Sequence, residues 1–260
     1  MAVQPPIEDR ESSLSGQMSF LDHLEELRTR ILRSLIAVAI AFVVCYAFVD
    51  QLYAIVSLPV LEALGEESLV FTRLQDPFML LLKVAFVASL LLSSPFLLAQ
   101  LWLFIAPGLY KRERRFALPF ILSATILGAC GVAFAYFIAF PFAAEFLVQM
   151  GRGAGLTPML DASQYFSLFL TIMVALAITF QIPPVIFVLT RMGVVTPAFL
   201  FRNTPYAVLI AFIAAAVITP TGDAPNMMII AGPMILLYLV GVGVGWLFGK
   251  REPKEPKDRK

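Results

Sequence analysis

Six apolar runs divide this chain: Ile31 to Val49, Phe78 to Ala106, Phe116 to Phe140, Tyr165 to Thr190, Tyr206 to Ile218 and Met227 to Phe248. A hydrocarbon core of ~30 Å needs ~20 helical residues at about 1.5 Å of rise each, and four of the runs reach or approach that length comfortably. The runs therefore predict helices whose solvent is lipid. Composition agrees, because hydrophobic residues make up 60% and charged residues 14% of the 260, with a mean hydropathy of +0.86. That is far more apolar than a soluble domain of this length.

Two runs need a second argument. Ile31 to Val49 reaches spanning length only with its first turn, and Tyr206 to Ile218 is short enough to be re-entrant. Charge placement separates the possibilities. Arg10, Arg28, Arg30 and Arg33 precede the first run, Lys111 to Arg115 follow the second, Arg191 and Arg202 follow the fourth, and six more cations follow the sixth, so sixteen of nineteen basic residues fall on one side. A fifth run that failed to cross would put the basic tail on the opposite side, against the positive-inside rule. The expected fold is an all-α integral membrane protein with six transmembrane helices and both termini cytoplasmic. Asp50, Glu62, Glu66, Glu67, Asp76, Asp161 and Asp223 then share the outer loops with Arg73 and Arg152.

The last two crossing helices read as short, which predicts a locally thinned bilayer beside Tyr206 to Phe248. Pro95, Pro119, Pro183, Pro184 and Pro233 interrupt the runs and predict kinks, hence a curved, concave bundle. Residues 1–17 contain Pro5, Pro6, acids and serines without an apolar core, and read as a disordered tail and not a cleaved signal. Residues 18–248 form the membrane domain, and residues 249–260 a basic cytoplasmic tail.

Two charged passages carry the functional signal. In FIAPGLYKRERR, Phe104 to Arg115, the apolar run stops at Pro107-Gly108, and Lys111, Arg112, Arg114 and Arg115 enclose Glu113, favouring its ionised form. In HLEELRTR, His23 to Arg30, the repeat of Phe20, Leu24, Leu27 and Ile31 predicts an amphipathic helix lying at the interface, with Ser19 and Asp22 at capping-box spacing. Glu26 and Arg30 form an i,i+4 pair worth a few tenths of a kcal/mol. Each acid has two readings. Glu26 is a ligand for a cationic partner or part of a solvated face, and Glu113 is such a ligand or a complement to the helix dipole beginning the third run.

Other features point away from catalysis. Cys45 and Cys130 lie within apolar runs as small core residues, suggesting neither a disulfide nor a metal site, and with His23 they make no convincing catalytic group. No P-loop, HExxH or GxSxG occurs, so no cofactor and no covalent chemistry is expected. GRGAG at Gly151 to Gly155 reads as a loop, while Gly241 and Gly245 have the spacing that packs one helix against another. Lys83 is expected to snorkel near the outer end of the second span, and Glu145 to lie in an outer loop or helix extension.

HLEELRTR, FIAPGLYKRERR, AYFIAFP at Ala135 to Pro141 and TPTGD at Thr219 to Asp223 together resemble the TatC family, the receptor subunit of the twin-arginine protein translocase. The resemblance runs from about Ser19 to Phe248. It implies a glove-shaped bundle in the cell inner (plasma) membrane that binds twin-arginine signal peptides of folded precursors. It also implies a hetero-oligomer with TatA and TatB-type single-span subunits among membrane lipids, driven by the protonmotive force, without nucleic acid. Carried onto this chain, Glu26 and Glu113 match the signal-recognising acids, accompanied by Arg28, Lys111, Arg112, Arg114, Arg115, Phe104 and Pro107. Pro59 and Asp223 match outer-side positions.

A guanidinium offers parallel donors to a carboxylate where lysine offers a point charge, so two acids can favour an Arg-Arg pair. Gln181, in FQIPP, stands where the family usually carries a glutamate, and an amide cannot titrate. Its other reading is structural, satisfying the Thr179 and Phe180 carbonyls freed by Pro183 and Pro184. Met227 and Leu239 replace a Gln and a Glu that bind partner helices in many relatives. A proton-coupled secondary transporter is the alternative, but such a carrier calls for buried titratable groups that the apolar runs almost entirely lack.

Overall fold

The computed structural model describes residues 20–64, 69–105, 117–153, 155, 161–219 and 224–248. The two tails, residues 1–17 and 249–260, and the capping residue Ser19 lie outside them. Among the described residues, all the regular elements are helical. Helix α1, Phe20–Ala47, is 28 residues long and runs without interruption from HLEELRTR into the first apolar run. The separate interfacial helix is thus corrected to the first turns of a spanning one, since no Gly or Pro breaks the hydrogen-bond ladder between His23 and Ala47.

Helix α2, Val49–Leu64, occupies the region expected as an outer loop and contains Pro59 inside it. Proline cannot donate to the carbonyl four residues back, that of Ile55. Tyr136, distant in sequence, donates its hydroxyl to that carbonyl at 2.8 Å. The same repair occurs in helix α3, Asp76–Ile105, which continues through Pro95. There the Ser94 hydroxyl donates to the Leu91 carbonyl at 2.7 Å, replacing the bond that Pro95 cannot make.

Helix α4, Ala117–Phe134, passes through a five-residue π-helical segment, Ala135–Ala139, into helix α5, Phe140–Gly153, which contains Glu145. The fourth apolar run is divided into helix α6, Ala162–Thr179, and helix α7, Ile182–Met192. Consecutive prolines at 183 and 184 explain the division at Gln181. Helix α8, Pro197–Arg202, is a short connector. Helix α9, Thr204–Ile218, has 15 residues, and helix α10, Ala224–Phe248, has 25 and runs through Pro233.

Among the described residues, five helical stretches are long and apolar enough to cross a membrane, while Thr204–Ile218 is shorter. The expectation that the last helix is also short is corrected: helix α10 has 25 residues, about 37 Å at 1.5 Å per residue, more than a ~30 Å core requires. Large apolar side chains such as Leu35, Val43, Ile126, Val217 and Leu247 stand open on the outside. Lipid is the solvent that such a surface suits.

Within lipid, helices gain little by merely hiding apolar surface, so close fit and satisfied polar groups hold them together. The main core gathers Phe140, Phe166, Phe169, Leu176 and Ile230. Phe140 meets Phe169 edge to face at 4.6 Å and 87°, a favoured aromatic geometry. A smaller cluster joins Trp102, Phe120, Ala124 and Val188. Cys45 packs with Val49 and Ala85, whereas Cys130 is exposed and so is not the core residue expected. Gly241 lets α10 approach α7 closely, for a Cβ there would stand 2.7 Å from Ile186 Cδ1 and 3.2 Å from Pro183 Cα.

A polar junction ties the segment before α3 to the start of α6. Val70 bridges Asp161, and the Ala162 N–H donates to the Val70 carbonyl at 2.8 Å. Asp161 caps α6 by accepting from the Gln164 N–H at 3.0 Å, and its other oxygen accepts from the Thr72 hydroxyl at 2.6 Å. These bonds hold its carboxyl below the usual value of 3.8, the Thr72 hydroxyl contributing most and the Gln164 amide next.

Candidate functional site

The beginning of α1 lies against the end of α3, with the helices antiparallel. His23 stacks on Phe104 with ring centroids 4.5 Å apart and planes 18° apart. One to two turns along, Arg30 donates through Nε to Glu26 Oε1 at 3.0 Å and through Nη1 to Gln100 Oε1 at 3.2 Å. Its Nη2 also pairs with Glu26 Oε1. The i,i+4 pair expected from sequence is thus joined to a second helix.

This pair is not an ordinary surface ion pair. Only 17% of the Arg30 side chain and 18% of the Glu26 side chain are exposed, so water screens them less than it would a fully open pair. Glu26 Oε2 is buried and accepts no hydrogen bond from any described residue. A carboxylate oxygen without a donor is an unmet need, and a further N–H donor at that point would be favourable. Beside it an open hollow of about 310 Å³ is lined by Glu25, Glu26, Thr29, Arg30 and Arg33.

Of the residues singled out from sequence, the structure brings Glu26 and Phe104 to this end and leaves Arg28 exposed on α1. Glu113, Lys111, Arg112, Arg114, Arg115 and Pro107 lie outside the described residues, as does Asp223. Pro59 is buried within α2. Sequence reasoning missed Gln100 and gave His23 no place in the site. A polar side chain near the end of an apolar run was the available signal for Gln100, but its partner is 70 positions away.

Inside the bundle, Gln181 donates through Nε2 to the Ala124 carbonyl at 3.0 Å. The expected Thr179 and Phe180 carbonyls are therefore not its recipients, because the side chain turns across to α4. Gly128 makes room for it, since a Cβ there would lie 2.8 Å from Gln181 Nε2. Gln181 Oε1 is buried without a described partner. Met227 packs against the main core, and Leu239 is exposed.

A lipid-facing helical exterior, an intramembrane helix break and a charged cluster where two helix ends meet define a multi-pass membrane protein with a polar cluster at one end. The comparisons with known proteins name its kind. A family model described as Sec-independent protein translocase protein (TatC) matches residues 22–233. The TatC of Koribacter versatilis is 43% identical, with 99% of this chain and 95% of that one covered. The TatC of Escherichia coli K12 is 36% identical, covering 88% and 89%. The crystal structure of the twin arginine translocase receptor TatC superposes with a TM-score of 0.78 at 35% identity, covering 86% of this chain and 98% of the other. This chain belongs to the TatC family.

Proposed function

We propose that the chain is the signal-peptide receptor and core subunit of a twin-arginine translocase, exporting folded proteins across the cell inner membrane at the expense of the protonmotive force. The observation that carries this reading is the buried Oε2 of Glu26, without a donor among the described residues and held beside an open hollow where α1 meets α3. An incoming guanidinium supplies the missing donors, and a neighbouring arginine of the same signal engages Glu113. Arg28 and the basic residues Lys111, Arg112, Arg114 and Arg115 tune the local field, while Phe104 and Pro107 offer apolar contact to the flanking peptide.

In this reading six segments cross the bilayer in a glove-like concave bundle, with Thr204–Ile218 as the short fifth crossing and both termini cytoplasmic. The placement of sixteen of nineteen basic residues on one side of six crossings supports that orientation. TatA and TatB-type single-span subunits complete the assembly. A proton-coupled carrier has less support, since Gln181 provides an amide where such a mechanism would need a titratable group.

Photocrosslinkers placed beside Glu26 and Glu113 test the proposal with a twin-arginine precursor and its Lys-Lys variant. The twin-arginine form is expected to label strongly and the variant weakly, with Glu26→Ala and Glu113→Ala each reducing binding but not membrane insertion. Equal labelling of both precursors, or normal export by the double mutant, would overturn it.

A further inference from the structure

Lys83 is a cation on a long apolar helix that lacks a carboxylate within ion-pair distance among the described residues. It is seven residues from the start of α3, about 10 Å along the axis. A 30-residue helix is ~45 Å long and overhangs a ~30 Å hydrocarbon core, which puts Lys83 near the boundary between headgroups and acyl chains. Its Nζ donates to the Ser167 hydroxyl at 2.8 Å, and that hydroxyl donates onward to the Ser163 carbonyl at 2.6 Å. Ser167 thereby holds the ammonium without neutralising it. An ammonium has three donors, so two remain.

From this point an open, almost wholly apolar groove of about 530 Å³ lies between α3 and α6. Phe86 and Val87 form one wall, and Leu170, Val174 and Ile178 the other. From Ser167 to Ile178 the groove follows α6 for roughly 16 Å, on the scale of one lipid acyl chain. An ammonium at the boundary held only by a neutral hydroxyl is a favourable point for a headgroup anion, which adds charge-assisted hydrogen bonds. The apolar wall below requires that anion to bring hydrocarbon with it.

We propose that this groove is a binding site for one anionic phospholipid, its phosphate on the two free donors of Lys83 and one acyl chain against Val174 and Ile178. Charge complementarity at the mouth and apolar lining beneath it select this occupant over a zwitterionic lipid, whose own ammonium would crowd Lys83. The site is separate from Glu26 and does not depend on the signal-receptor reading.

Native mass spectrometry of the full chain in detergent, titrated with phosphatidylglycerol or phosphatidylcholine, tests it. One phosphatidylglycerol is expected to bind preferentially, to weaken about tenfold in Lys83→Gln and to recover in Lys83→Arg. Phosphatidylcholine binding should be the same in all three, and millimolar inorganic phosphate should displace nothing. Val174→Trp fills the groove and should weaken phosphatidylglycerol while leaving Lys83 intact; if it fails to fold, the Lys83 pair decides alone. Equal phosphatidylglycerol retention by wild type and Lys83→Gln would overturn the proposal. Displacement by phosphate alone, or a co-purified protein helix seated in the groove, would overturn it as well.

Discussion

The Tyr136 hydroxyl donates to the Ile55 carbonyl at 2.8 Å, the acceptor that Pro59 leaves without its helical donor. The relationship predicts a thermodynamic coupling. Tyr136→Phe should lower stability by about 1 to 2 kcal/mol because a carbonyl loses its partner. Pro59→Ala in that background should recover part of the loss by restoring a backbone N–H. Thermal unfolding of the two single variants and the double in one detergent checks this as a double-mutant cycle, and strict additivity would rule the coupling out.

Gln181 should resist replacement by glutamate. A glutamate there presents carboxylate oxygens to the Ala124 carbonyl in place of a donor, so acceptor faces acceptor. Gln181→Glu should lower stability by about 1 to 3 kcal/mol. Gln181→Leu should cost about 1 kcal/mol or less, since it removes one hydrogen bond without adding a charge. Melting temperatures of the two variants and the parent in one detergent would compare them.

Arg30 occupies one oxygen of Glu26 from within the same helix. On the receptor reading, Arg30→Gln vacates that oxygen and removes a like charge from the path of an arginine pair. Binding of a twin-arginine signal peptide should tighten by roughly twofold to tenfold, and Glu26→Gln should weaken it by a similar factor. Fluorescence anisotropy with a labelled peptide measures both. Unchanged or weaker binding in Arg30→Gln would mean that Arg30 aims the carboxylate and does not compete for it.

The Asp161 junction should be acid-labile. Its carboxyl is depressed below 3.8, chiefly by the Thr72 hydroxyl and next by the Gln164 amide. A depressed carboxyl contributes stability that is complete above the unfolded value and is lost as pH falls through the folded one. Amide hydrogen exchange at Gln164 should accelerate, after correction for intrinsic rates, as pH drops below about 3.8. Asp161→Asn should remove most of that pH dependence.

Much of this architecture was legible in the sequence because lipid imposes long apolar runs, and their helices appear at nearly the expected places. Gly241 also meets α7 as its GxxxG spacing suggested. Helix α2 was not legible, since Val49–Leu64 mixes polar residues with Pro59 and its freed carbonyl is repaired by a tyrosine 81 positions away. The union of HLEELRTR with α1 was missed for a related reason: the change from amphipathic to apolar composition resembles a boundary, yet the backbone has no cause to stop. At the site, Glu26 and Arg30 announce themselves by spacing. Gln100 belongs with them only through tertiary packing.

The π-helical segment Ala135–Ala139 sets the angular phase of everything after it. Phe140 donates its N–H to the Ala135 carbonyl, five residues back, so the turn holds one more residue than an α-helical turn would. Were the same residues wound at ordinary α-helical pitch, the surplus residue would swing Phe140, Ala143 and Ala144 by about 100°. Phe140, fully enclosed against Phe169, would then point toward lipid, whereas deleting one residue would let the turn close as an α-helical one and leave those side chains on their faces.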